Sequence, residues 1–238
     1  EVFARPFHWL PAKAQWQNYA TVWMNEEASM LRAFANTLYI ALFSIVGQML
    51  ISSLAAYSFA KINFKGKQIV FMLFLSSMMV PSQLTIIPRF MLFKTIGLYN
   101  NLWAIILPAF FGATSIFMLR QFYMGLPNDL IEAAKIDGAG HLRIFLRIML
   151  PLTKAALMSL IILAFISSWN EYMAPLIFLV KKELYTVSQN IQWYMLDEFK
   201  EHNLTMAAAT SAIVPVVILF IVGQKYFVEG IATSGVKG

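Results

Sequence analysis

Five stretches of this chain run long enough with no charge, or in one case a single internal carboxylate, to cross a hydrocarbon layer as helix, and no other feature limits its possible folds so severely. They lie between Arg32 and Lys61, between Lys67 and Arg89, from about Leu102 to Leu119, from Lys154 to about Val180 with Glu171 inside, and between His202 and Lys225. A membrane-spanning helix needs roughly 20 apolar residues. In lipid an open strand would leave its backbone groups unpaired, and the alternating pattern of a closed barrel is absent. With 13% charged and 59% hydrophobic residues, the chain falls well below the charged share of about 25% usual in soluble domains. The expected fold is therefore all-α: a polytopic helical membrane protein with five transmembrane helices in this chain.

Charge placement orients these spans. Lys61, Lys65 and Lys67 join spans one and two; Arg120, Lys135, Arg143, Arg147 and Lys154 join spans three and four; Lys225 and Lys237 follow span five. These ten basic residues face only Asp129, Glu132, Asp137 and Glu229, a surplus of six that equals the chain's whole formal net charge of +6. The positive-inside rule makes these segments cytoplasmic. The basic pI thus reports topology and gives no support to nucleic-acid binding. The C-terminus is expected inside and residue 1 outside. Because the chain starts without Met or a signal-peptide pattern, a further N-terminal transmembrane helix is expected ahead of it, making about six spans. The expected layout is an extracytoplasmic segment over 1–31, a transmembrane domain over 32–225 and a cytoplasmic tail over 226–238. The absence of cysteine excludes disulfides and thiol chemistry.

Prolines at 81, 88, 108, 175 and 215 fall in or beside the apolar runs. Each removes a backbone donor and bends or interrupts a helix. The cluster "MMVPSQLTIIPRF" is the best candidate for a broken helix lining a pathway. Glu171 is the only acidic residue well inside an apolar run, where a charge costs at least about 2.5 kcal/mol. With Trp169, Asn170 and Tyr172 it forms "WNEY", whose rings and hydrogen-bonding groups suit a neutral sugar; an aromatic belt at the outer interface is the competing reading. Gln189, Gln192, Trp193 and Tyr194 suit either an outer contact for a binding protein or internal packing. His8, His141 and His202 lack metal-ligand spacing, and the acceptor pattern at Asn203 is read as chance.

The most charged helix-prone segment is "EAAKIDGAGHLRIFLRIMLPL", Glu132 to Leu152. Pro127, Asn128 and Asp129 suit a helix start, and Gly138 and Gly140 suit its end. At 3.6 residues per turn Leu130, Ala133, Ala134 and Asp137 share a stripe, low in profile and open to close approach by another protein. Taken alone, the segment could simply be an amphipathic interfacial connector. Its spacing adds more: Glu132, Ala133, Ala134, Gly138, Ile148, Leu150 and Pro151 match the pattern Glu-Ala-Ala, three residues, Gly, nine residues, Ile, one residue, Leu-Pro.

This pattern resembles the EAA loop of permease subunits of binding-protein-dependent ABC importers. "NYATVW", "AAYSFAKINFKGK", "SSWNEYMAPLIFL" and "YFVEGIATSGVKG" are similar to the carbohydrate-uptake branch, in particular to the smaller permease of maltose-type systems. The resemblance implies a multi-pass subunit of the cell membrane that is not an enzyme. It would form a sugar pathway with a homologous permease and be supplied by an extracytoplasmic binding protein. Two cytoplasmic ATPase subunits would hold ATP and Mg, in keeping with the lack of a GxxxxGK[ST] loop in this chain. It further implies that 126–151 carries a coupling helix, with Glu132, Ala133, Ala134 and Gly138 docking on an ATPase and Asp137 and Ala139 beside them. Two rivals are a permease of the same kind for another solute and a proton-coupled secondary transporter using Glu171. A membrane scaffold would leave Glu171 and the EAA spacing unexplained.

Overall fold

The computed structural model describes residues 13–196 and 202–235, with side chains of the final helix described as far as Gln224. The described residues are helical throughout, with no strand among them. A short α1 (Gln17–Met24) leads into α2 (Met30–Lys61), the longest span of the interior. Ser29 caps α2 by accepting from the Arg32 N–H at 3.4 Å. Helix α2 packs on α6, α10 and α5 through a seam of small buried residues, among them Ala33, Ala41, Ser44, Gly47 and Ala56. Small residues let helix backbones approach, and the close van der Waals packing this allows is one of the forces that associate helices in lipid. At Gly47 the seam is so tight that a Cβ would fall within the Phe110 ring.

The second apolar run is not one straight helix. Helix α3 (Lys67–Ser76) passes through a 3-10 turn at Ser77–Met79 and breaks before α4 (Ser82–Thr95), with a bend of 97°. Pro81 sits at the break and Pro88 lies inside α4, so the expected broken helix is present where the proline cluster stands. The third run divides into α5 (Trp103–Ala109) and α6 (Ala113–Gly125), together long and apolar enough to cross a membrane.

After α7 (Asp129–Ile136) come α8 (His141–Ile144), a π-helical turn over Phe145–Met149 and α9 (Leu150–Leu152). A bend of 77° then leads into α10 (Lys154–Trp169). At the bend the buried Thr153 hydroxyl lies 3.1 Å from the carbonyl oxygens of both Met149 and Leu150 and donates there. The fourth run differs from expectation. Its helix stops at Trp169, and a separate α11 (Met173–Phe178) follows, so Glu171 stands in a break between helices and not within a span. The cause is local capping: Asn170 Nδ2 donates back to the Ile166 carbonyl at 2.8 Å, and the Ala174 N–H donates forward to Glu171 Oε1 at 3.0 Å.

A 3-10 turn at Lys182–Leu184 and α12 (Val187–Leu196) precede α13 (His202–Gly235). Helix α13 packs on α10, α1 and α12 and runs past 225, so the tail expected from 226 begins inside it; the side chains quoted from that tail lie outside the described residues, as does Glu1 to Pro11. Three helical stretches qualify as spans outright, and five do if each bent pair counts as one.

Candidate functional site

Two regions bring together the residues singled out in the sequence. At one end of the bundle α7 is clamped from inside. Ile131 and Ala134 are buried in a cluster with Tyr57, Tyr123, Ile144, Phe145 and Met149. Lys61, at the end of α2, donates from Nζ to the Leu126 carbonyl oxygen and to Asn128 Oδ1, both at 2.7 Å. The Tyr57 hydroxyl and His141 Nδ1 form a hydrogen bond of 3.0 Å on the other side of the loop.

The opposite face of α7 is bare. Glu132, Ala133, Asp137 and Gly138 are exposed, and Ile136 is 87% exposed. The expected alanine stripe is therefore split: Ala133 faces outward, whereas Ala134, 8% exposed, is turned into the bundle and Ala139 is half-buried against it. A 3.6-residue period places neighbouring residues about 100° apart, enough for the edge of the cluster to fall between them. Gly138 ends the helix with φ +76, a left-handed conformation that a Cβ disfavours.

In the middle of the bundle, α2, α4, α5, α10 and α11 surround a cavity of about 470 Å³. Its polar lining comes from Ser44 and Gln48 on α2, Ser82, Gln83 and Arg89 on α4, Ser167 and Ser168 on α10, and Glu171 in the break. The four residues of "WNEY" do not share this space. Trp169 is 2% exposed, lies in a second cluster against Phe34 and Phe165, and donates its indole N–H to the Ala212 carbonyl at 3.1 Å. Asn170 is exposed and bonded to its own helix, and Tyr172 is half-buried outside the lining. Glu171 alone reaches the cavity.

Sequence reasoning missed Arg89, Ser44 and Gln48 as lining residues, although Arg89 closes the proline cluster already marked as a broken helix. The Arg89 guanidinium sits 4.9 Å from the Phe178 ring centroid. Gln189 and Tyr194 pack internally. Gln189 Nε2 donates to the carbonyls of Pro175 (3.2 Å) and Leu179 (3.1 Å), and Tyr194 donates to Ala28 at 3.0 Å. Burial pushes the Tyr194 phenol up to about 12. Outside the spans, Lys182 Nζ lies 2.7 Å from Glu27 Oε2. That contact lowers the Glu27 pKa and raises that of Lys182.

Bent spans around a cavity with polar groups on its wall, with a clamped helix presented at one end, are the parts a membrane transport subunit needs. Residues 48–233 match the family model described as the binding-protein-dependent transport system inner membrane component, and the chain belongs to this family. It is 36% identical over 228 residues to the arabinooligosaccharides transport system permease protein AraQ of Bacillus subtilis (strain 168), covering 96% of this chain and 81% of that one. It is 30% identical over 240 residues to the sn-glycerol-3-phosphate transport system permease protein UgpE of Yersinia pestis bv. Antiqua (strain Antiqua), covering 98% and 85%. Among solved structures, a bacterial ABC transporter involved in the import of the acidic polysaccharide alginate shares the fold with TM-score 0.82 at 24% identity, over 92% of this chain and 81% of that one.

The chain is thus a multi-pass permease subunit of an ABC importer and not itself an enzyme. Such a system comprises a partner permease, an ATPase and a binding protein. Family membership disposes of the secondary-transporter and scaffold readings.

Proposed function

We propose that this subunit carries a neutral sugar or oligosaccharide inward through the cavity between α2, α4, α10 and α11, completed by a homologous permease. The observation that carries this reading is the cavity lining: among its polar groups hydroxyls and amides predominate beside apolar side chains, and the single guanidinium and single carboxylate cancel in charge. Such a wall offers many donors and acceptors but no net charge, which suits a solute rich in hydroxyls. The similarity to the arabinooligosaccharide permease supports the same class.

The exposed face of α7 is the coupling surface. Glu132, Ala133, Asp137 and Gly138 meet one of two cytoplasmic ATPase subunits, which hold ATP and Mg, while Ala134 and Ala139 fix the helix to the bundle. The positive-inside rule applied to the basic loops supports a cytoplasmic side for this end and for the C-terminus. An extracytoplasmic binding protein delivers solute to the other end. Closure of the ATPases moves α7, and because Lys61 and the Ile131–Ala134 face tie α7 to α2, the motion passes to a helix that lines the cavity. Nucleotide and solute then bias one two-state bundle.

The test is ATP hydrolysis and uptake by the whole complex in lipid vesicles, with its binding protein and a panel of neutral oligosaccharides. One sugar should stimulate both activities, and Gly138→Asp should abolish both while the subunit still inserts. Uptake unchanged by Gly138→Asp would end the coupling assignment; stimulation only by non-sugar solutes would end the sugar assignment.

A further inference from the structure

The cavity contains three polar groups whose arrangement the transport reading does not by itself require. The Ser44 side chain is 3% exposed, and its Oγ is buried with no hydrogen-bond partner. Arg89 Nε is likewise buried and unpartnered. Glu171 uses Oε1 to accept from the Ala174 N–H at 3.0 Å, and no ion pair within 4.0 Å joins its carboxylate to Arg89 among the described residues. All three residues line the same space.

A buried polar atom left without a partner is destabilising, because it gives up hydration and gains no hydrogen bond in return. An unpaired guanidinium and carboxylate facing one cavity would ordinarily close on each other or draw in a ligand. Here neither is free to close fully. The guanidinium is held against the face of Phe178, and the carboxylate is held by the start of α11.

We infer that Ser44, Arg89 and Glu171 form a solute-gripping subsite within this chain, one that takes adjacent hydroxyls of a neutral sugar and rejects anionic solutes. The inference rests on the sugar reading above and specifies it. Adjacent hydroxyls each donate one hydrogen bond and accept another. Arg89 supplies donors only, ionised Glu171 supplies acceptors only, and the Ser44 hydroxyl supplies either. A hydroxyl pair therefore satisfies both charged groups at once. A carboxylate or phosphate would satisfy Arg89 but would lie beside Glu171, and like charges at such a distance repel. Glu171 is the discriminating group.

The subsite is tested in the whole complex reconstituted in vesicles, using a neutral arabinotriose and a trisaccharide of the same length carrying one carboxylate. Glu171→Gln keeps an oxygen for the Ala174 N–H and removes the charge. It should raise the KM for the neutral sugar about tenfold and improve uptake of the carboxylate sugar relative to the neutral one by at least tenfold. Arg89→Gln should weaken uptake of both sugars, and Ser44→Ala should raise KM a few-fold without changing kcat. A purely structural role for Glu171 would lower uptake of both sugars in proportion, and that result overturns the inference. Wild-type uptake of the neutral sugar with unchanged KM in all three variants also overturns it, while leaving the sugar reading intact. Wild-type complex that imports the carboxylate sugar in preference to the neutral one overturns both.

Discussion

Lys61 and Asn128 hold each other across a helix boundary: the ammonium at the end of α2 donates to Asn128 Oδ1 at 2.7 Å and, at the same distance, to the carbonyl oxygen of Leu126. The last residue of the longest interior span thereby fixes the chain immediately before α7. Charge-assisted hydrogen bonds are about twice as strong as neutral ones, and this pair connects the α7 end of the molecule to the helix that carries Ser44 and Gln48 into the cavity.

Lys61→Met keeps the apolar stem and removes both bonds. With roughly 1.5 kcal/mol of local clamping lost, sugar uptake should fall about tenfold while the amount of inserted subunit and the docking of the ATPase stay near wild type. Asn128→Ala should produce a smaller loss in the same direction. The double variant should be no worse than Lys61→Met alone, as expected for residues sharing one contact. Independent, additive losses would sever the proposed connection.

Within this chain nothing stands where a Cβ on Gly138 would point, so apart from the proposed ATPase contact the residue is restricted only by its left-handed backbone. Gly138→Ala should cost on the order of 1–2 kcal/mol at the end of α7 and reduce uptake several-fold. Gly138→Asn, which tolerates left-handed φ better, should recover part of that loss. Equal uptake by the Ala and Asn variants would show that the left-handed turn is unimportant.

Trp169 is a packing residue. Trp169→Ala should destabilise the purified subunit by about 3–5 kcal/mol, because it empties the space against Phe34 and Phe165 and removes the indole bond to the Ala212 carbonyl. The KM for solute of whatever complex survives should hardly change. A large KM effect at unchanged thermal stability would return Trp169 to the solute path.

Tyr194 provides a pH signature. Its phenol is raised to about 12, above the ordinary value near 10, so the folded state retains the proton over this interval while the unfolded chain has lost it. Stability from this group is whole below about pH 10 and declines as pH rises towards 12. Thermal scans between these values should show a downward slope that Tyr194→Phe reduces, together with a loss on the order of 1 kcal/mol at neutral pH from the hydrogen bond to Ala28.

Gly47→Val should be among the most damaging single changes in α2. The added side chain meets the Phe110 ring, and overpacking of this kind typically costs about 1–3 kcal/mol. Reduced thermal stability, relieved by Phe110→Ala, is the expected result.

Much of this was legible in the chain itself. Uncharged length fixed the helical membrane class, since nothing but helix or closed barrel satisfies backbone groups in lipid. Pro81 and Pro88 marked the broken second span, because proline acts on its own backbone and needs no distant partner. The spacing from Glu132 to Pro151 marked the loop carrying α7 for the same local reason. Tertiary structure alone decided which side chains share a space. "WNEY" reads as one cluster, yet a helix end at Trp169 sends the indole into the core, Asn170 back to its own helix and Glu171 into the cavity. Ala133 and Ala134 are adjacent, yet the edge of a cluster built from α2, α6 and the π-helical turn passes between them. Arg89 and Glu171 are distant in sequence and line one cavity only because the bend before α4 and the break before α11 bring them there. Side-chain direction at a break depends on what packs around it, and that information is distributed over the whole bundle.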